Sequence, residues 1–148
     1  MNAKLAMVAI AVTLCAQTSV ASAGTLAILD VVGDKDTKKL RKYLSKRGRH
    51  ALIGALGPNW TVLTRSQMKE RLGKGSIRCL TKGACSPGAL RALRADRYIG
   101  GELTRFGKLR LALSMHEGAS GRALGAKEIV ADDVDGLVDR VGDAYVSL

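Results

Sequence analysis

Residues 97–116 read Arg97-Tyr98-Ile99-Gly100-Gly101-Glu102-Leu103-Thr104-Arg105-Phe106-Gly107-Lys108-Leu109-Arg110-Leu111-Ala112-Leu113-Ser114-Met115-His116. Successive residues of a strand point to opposite faces. Leu109, Leu111, Leu113 and Met115 therefore share one face, and Lys108, Arg110, Ala112, Ser114 and His116 share the other. The two runs flanking Gly107 predict a tight antiparallel hairpin, 97–106 and 108–116, with one face buried and the other largely wet. A sheet that is apolar on one side needs a second layer to cover it.

The flanking sequence supplies that layer. Downstream, residues 118–121 turn the chain into a third strand, 122–130. A last helix then begins at Asp132 or Asp133, with Val134, Leu137, Val138, Val141 and Tyr145 at helical spacing. Asp132, Asp133 and Asp135 sit where the helix dipole favours negative charge.

Upstream, Ser86-Pro87 predicts a helix start running to about Arg94. Thr64 and Gln67 have capping-box spacing for a short helix to about Leu72. Residues 73–83 between these helices read as a polar connection. Trp60–Leu63 is a short strand. Residues 36–56 are helical, with Leu40, Tyr43, Leu44, Ala51, Leu52 and Ala55 on one side. Gly48 is a weak point that threatens to kink or split this helix. Gly57-Pro58 ends it, Gly57 being expected in a left-handed cap.

Thr25–Val32 is an apolar, partly β-branched run that reads as one buried strand. The order β-α-β-α-α-β-β-β-α predicts an α/β (α+β) two-layer sandwich with a mixed five-stranded sheet. A strand–helix–strand crossover supplies a parallel pair and a meander completes it.

Residues 1–23 have the pattern of a secretory leader. Lys4 precedes an uncharged apolar stretch, Leu5–Leu14, and Ala21-Ser22-Ala23 is a small-x-small cleavage pattern, so the cut is expected between Ala23 and Gly24. The apolar run is about half the ~20 residues that a membrane-spanning helix needs. Lipidation at Cys15 is disfavoured because bulky Leu14 precedes it. Residues 24–148 are then expected to form a single periplasmic or secreted domain.

Of 24 Lys and Arg against 13 Asp and Glu, only Lys4 lies in the leader, so the remainder keeps a formal net charge of +10 against +11 for the full chain. Cys79 and Cys85 are an even pair, which an oxidising compartment would join as a disulfide around a short loop. His50 and His116 are too few and too distant to complete a zinc site with them.

Four stretches bear a family resemblance: Leu26-Ala27-Ile28-Leu29-Asp30; Val62-Leu63-Thr64-Arg65-Ser66; Leu93-Arg94-Ala95-Asp96-Arg97-Tyr98-Ile99-Gly100-Gly101 with Leu103 and Gly107; and Ser120-Gly121-Arg122-Ala123-Leu124-Gly125. Together they resemble the amino-terminal α/β domain of TolB-type periplasmic proteins. That fold group includes the curli-secretion lipoprotein CsgG and the lipoprotein activators of penicillin-binding proteins. The departures are the absence of a following β-propeller and the Met115-His116-Glu117 neighbourhood where the family carries an acid. The resemblance implies a noncatalytic module that docks onto an envelope protein partner or forms a homo-oligomer.

The residues point to no reaction. No G-x-S-x-G elbow occurs, and His50 and His116 read as surface or boundary residues. Helix capping accounts for the clustered acids. No cofactor motif is present: Gly100-Gly101 lies inside a strand, where glycine marks a bulge or close packing rather than a phosphate loop. Arg65 and Arg105 lie near strand ends, where they could line a crevice, with nothing to distinguish them from other surface residues.

The polar feature that stands out is the basic stretch Lys38, Lys39, Arg41, Lys42, Lys46, Arg47 and Arg49. Such density attracts polyanions, yet it also suits a merely solvated helix face. Export, few aromatics and the lack of a recognised motif argue against nucleic acid. Anionic lipid, lipopolysaccharide or an acidic protein suits the compartment better.

Overall fold

The computed structural model describes residues 24–73, 77–82 and 85–148. The expected leader, Cys15 and the Ala23 side of the expected cleavage junction lie outside these residues. The described chain folds as β1 (Gly24–Ile28), β2 (Val32–Gly33), α1 (Lys38–Ala55), β3 (Trp60–Val62), α2 (Arg65–Leu72), α3 (Ile77–Lys82), α4 (Pro87–Ala92), β4 (Arg97–Phe106), β5 (Lys108–Glu117), β6 (Ala123–Ala131) and α5 (Val134–Val146). A 3-10 turn, Lys35–Thr37, leads into α1. The strands form one mixed sheet in the order β3-β1-β4-β5-β6, with β2 also paired to β4. β1 runs parallel to both β3 and β4, and β4-β5-β6 is an antiparallel meander.

The predicted α/β sandwich is the observed architecture, with one strand more than the sequence pattern separates. The run 25–32 is not continuous. It leaves the sheet after Ile28 and returns as the two-residue β2, which pairs Val32 with Glu102 and Gly33 with Leu103. Hydrophobicity persists across the break because Leu29 and Val31 remain buried there, so composition alone could not show it.

Two apolar layers form on opposite faces of the sheet. On one, Leu44 and Leu52 of α1 and Leu137, Val141 and Tyr145 of α5 pack on Leu26, Ile28, Ile99, Leu103, Leu111 and Leu113. On the other, Met68 and Leu72 of α2, Cys79 and Leu80 of α3, and Leu93 cover Ala27, Leu29, Leu63 and Tyr98. That second cover reaches only the parallel strands and the start of β4, and among the described residues the rest of this face is bare.

Local chemistry sets the boundaries. Gly107 takes a φ of 70° at the hairpin tip, a conformation that disfavours a side chain. The Thr64 side chain accepts from the Gln67 backbone N–H at 3.2 Å, and the Gln67 side chain accepts from the Thr64 backbone N–H at 2.8 Å, the expected capping box. Ser86 caps α4 by accepting from the Ala89 N–H, and Asp133 caps α5 by accepting from the Gly136 N–H.

Four local expectations need correction. Gly48 does not break α1, which runs unbroken from Lys38 to Ala55. Gly48 is small because the Tyr145 ring occupies the space where its Cβ would stand. Gly57 is not in the left-handed region, and α1 ends instead as Leu56 turns extended. The polar connection 73–83 contains α3, which forms because Cys79 and Leu80 are buried. α4 stops at Ala92, before Arg94 takes a φ of 49°. For the glycine pair 100–101 the sequence offers a bulge or close packing, and the bulge is not found there, since the register shift lies at Met115/His116. Gly101 instead meets close packing, since a Cβ there would come within 2.8 Å of Leu113.

Candidate functional site

The parallel strands bring together residues from three parts of the chain. β1 leads into α1 on one face of the sheet, while its neighbour β3 leads into α2 on the opposite face. Connections that part to opposite faces open a crevice at the carboxyl ends of the strands, the usual ligand position in open α/β sheets. Here the crevice measures about 340 Å³ and is lined by Asp30, Lys42, Lys46, Arg49, His50 and Arg65, with Ser45 in its wall. Asp30 follows β1 and Arg65 opens α2 just past β3. Lys42, Ser45, Lys46 and Arg49 form one stripe of α1 at helical spacing.

The charges do not balance. Arg65 pairs with Asp30 at 2.9 Å. Lys42, Lys46 and Arg49 have no ion pair among the described residues. Arg49 donates one N–H to the Ile28 carbonyl at 2.7 Å, while its shielded Nε has no protein partner. Burial is the main influence on this guanidinium and pulls its pKa below the usual value, an effect that Asp30 partly opposes.

The seven basic residues singled out in the sequence divide into two groups. Lys38, Lys39, Lys42 and Lys46 are exposed. The three arginines are tied to backbone oxygens. Arg41 donates to the carbonyls of Val31 and Asp34, Arg47 to that of Val138, and Arg49 to that of Ile28. Three residues of the crevice, Asp30, His50 and Arg65, were not marked as anion contacts. Strand order in the folded sheet brings Asp30 and Arg65 to α1, which itself carries His50, and only the place of Arg65 near a strand end pointed to it.

Cys79 and Cys85 are bonded to each other, as their spacing suggested, and lie in the second apolar layer. His116 stacks on Tyr98, ring centroids 4.9 Å apart, and its ring nitrogens contact the Ser114 hydroxyl and the Gly121 carbonyl. A structural role therefore accounts for His116. Among the described residues no three His, Cys, Asp or Glu side chains gather to hold a metal, and no helix is long and apolar enough to cross a membrane.

A second feature is the unfinished side of the meander. β6 ends the sheet, and its outer edge has no partner among the described residues. On the bare face, Arg110 and Glu128 pair at 3.4 Å, while Phe106 is 97% exposed and Val130 40%. A groove of about 400 Å³ continues this face toward α4 over a floor of small residues, Gly100, Ala112, Ser114 and Ala126.

No protein-family model matches the sequence, and no curated protein matches it. Solved structures do share the fold. The C-terminal domain of LpoB from Escherichia coli superposes with a TM-score of 0.57 at 9% identity, covering 78% of this chain and 87% of that one. Lipoprotein GNA1162 from Neisseria meningitidis gives 0.55 at 14% identity, covering 84% and 94%. A PelC dodecamer from Paraburkholderia phytofirmans, carrying a single substitution, gives 0.50 at 9% identity, covering 86% and 89%. At these identities the likeness establishes the fold alone.

Proposed function

We propose that this chain is an exported, noncatalytic module of the cell envelope that docks a protein partner through the free edge of β6 and the bare face beside it. One observation carries the reading: a nine-residue strand, Ala123–Ala131, ends the sheet with its outer backbone unpaired among the described residues. Such an edge is a template for an added strand unless it is covered. Leu124 and Val130, both 40% exposed, flank it with apolar surface.

The fold shared with LpoB and a neisserial lipoprotein supports an envelope setting, as do the secretory leader and the disulfide. Membership in the TolB and CsgG group belongs to the same proposal, as does cleavage between Ala23 and Gly24. Self-assembly is the alternative occupant of the edge, in keeping with the dodecamer described for PelC.

Photo-crosslinking residues placed at Leu124 and Val130 test the docking edge in cells. Adducts with one envelope protein, unchanged by added salt, are expected. Adducts arising only from α1, and lost in salt, would replace this reading with an electrostatic one. Intact mass of the isolated protein checks export: loss of 1–23 and of two hydrogens at Cys79 and Cys85 is expected. Finding the uncut chain in the cytoplasm with both thiols reduced would overturn export.

The electrostatic reading is the second one, favoured by the exposed lysines 38, 39, 42 and 46. On that view the α1 face binds anionic envelope polymers or lipids, and affinity falls steeply with salt. Charge reversal at these four lysines with no change in envelope association would dispose of it.

A further inference from the structure

We propose that the crevice between β1 and β3 is a binding site for a single phosphoryl group, presented either free or on a lipid headgroup. The proposal is independent of the β6 edge. It rests on the electrostatic reading only in needing an anion, and it narrows a whole helix face to one pocket.

Position is the first argument. The crevice lies where adjacent parallel strands send their connections to opposite faces, so its walls come from β1, α1 and the start of α2. Composition is the second. Lys42, Lys46, Arg49 and Arg65 face one carboxylate, Asp30, an excess of three positive charges before His50 is counted. Asp30 is already engaged by Arg65. A carboxylate ligand, with one charge, would leave most of this excess unanswered, whereas a phosphoryl group brings up to two charges and three acceptor oxygens.

The third argument is unfinished bonding. The two lysines carry no ion pair, and Arg49 is fixed by one hydrogen bond to the Ile28 carbonyl with no carboxylate at pairing distance. Arg49 is therefore held in place by the backbone of β1 without an ion pair among the described residues. The lysines stand at the rim as mobile point charges, a division of labour suited to a tetrahedral anion. Asp30 is the counter-element: it holds Arg65 by an ion pair at 2.9 Å and its charge opposes an entering anion.

The test uses the purified protein with inorganic phosphate followed by calorimetry, and with phosphatidylcholine vesicles with and without phosphatidic acid followed by co-sedimentation. The variant pair Lys42→Gln/Lys46→Gln removes two crevice charges at exposed positions. The pair Lys39→Gln/Lys127→Gln removes two exposed charges elsewhere. Saturable phosphate binding that falls roughly tenfold or more in the first pair and much less in the second supports the site with a free ligand. Binding confined to phosphatidic-acid vesicles, with the same contrast between the pairs, supports it with a lipid source. Equal losses in both pairs overturn the pocket and leave only diffuse attraction to the basic surface. No binding to either probe overturns both. Neither result bears on strand addition at β6.

Discussion

The ring of Tyr145 on α5 occupies the volume that a side chain at position 48 of α1 would need. Both residues are buried, Tyr145 at 1% exposure. In isolation a mid-helix glycine costs about 1 kcal/mol relative to alanine, so Gly48→Ala should help α1 on its own. Overpacking of a filled core costs roughly 1–3 kcal/mol and acts in the opposite direction. The packing cost is expected to win. Gly48→Ala should lower the urea midpoint, and a raised midpoint would show that α5 can shift freely away.

The Tyr145 hydroxyl is shielded and has no protein hydrogen-bond partner. Its pKa is pushed far above the ordinary range, first by burial, with Arg49 partly opposing. A phenol with a folded-state pKa above its unfolded value keeps its proton in the native state while the unfolded chain releases one. Its contribution is intact below about pH 10 and declines as pH rises beyond it, by up to about 1.4 kcal/mol per pH unit. Tyr145→Phe should flatten that alkaline loss while leaving neutral-pH stability equal or greater, since an unsatisfied buried group is removed. Unfolding curves of both proteins between neutral and strongly alkaline pH measure the difference. Unchanged alkaline slopes would place the titrating group elsewhere.

Replacing Cys79 and Cys85 together by serine opens a bridge that closes a short loop, so the loss should be roughly 2 kcal/mol. Cys79 lies in the second apolar layer with Leu80 and Leu93. The damage should accordingly appear as faster amide exchange in α3 and α4, with the β4–β6 meander unchanged. Global unfolding would mean that this layer is essential to the whole sheet.

Thr64→Ala removes one half of the reciprocal cap on α2 and should cost about 1 kcal/mol. Arg65, the first residue of that helix, holds Asp30. Chemical shifts at Asp30 should therefore move in this variant, although Thr64 does not line the crevice. Silence at Asp30 would show that Arg65 is positioned independently of the cap.

How far the chain could be read in advance depended on whether the deciding interaction was local. The hairpin about Gly107, the Thr64–Gln67 box, the Asp133 cap and the Cys79–Cys85 pair all rest on spacings of a few residues, and each is found where the pattern put it. Gly48 shows the opposite case. Its neighbours suggested a weak helix, while the reason for its size lies on α5, nearly a hundred residues away.

The crevice is of the same kind. Asp30, Lys42 and Arg65 become neighbours only because β1 inserts beside β3, and pairing order is invisible to periodicity. Charge counting also treated Lys42 and Arg41 alike. The planar guanidinium of Arg41 reaches the carbonyls of Val31 and Asp34, whereas the Lys42 ammonium remains in solvent.

β1 is the earliest strand among the described residues, yet it sits inside the sheet with a neighbour on each side: Leu26 pairs with Val62 on one flank and with Arg97 on the other. Neither flank exists until long after β1 has emerged, and the second arrives only when about two thirds of the chain has been made. Pairing at such separations is slow, because a large loop must close before any contact rewards it. The nascent polypeptide consequently stays without its central scaffold for most of its synthesis. A delay of this kind lengthens the time the chain spends unfolded, so the topology itself makes closure of the sheet a late event.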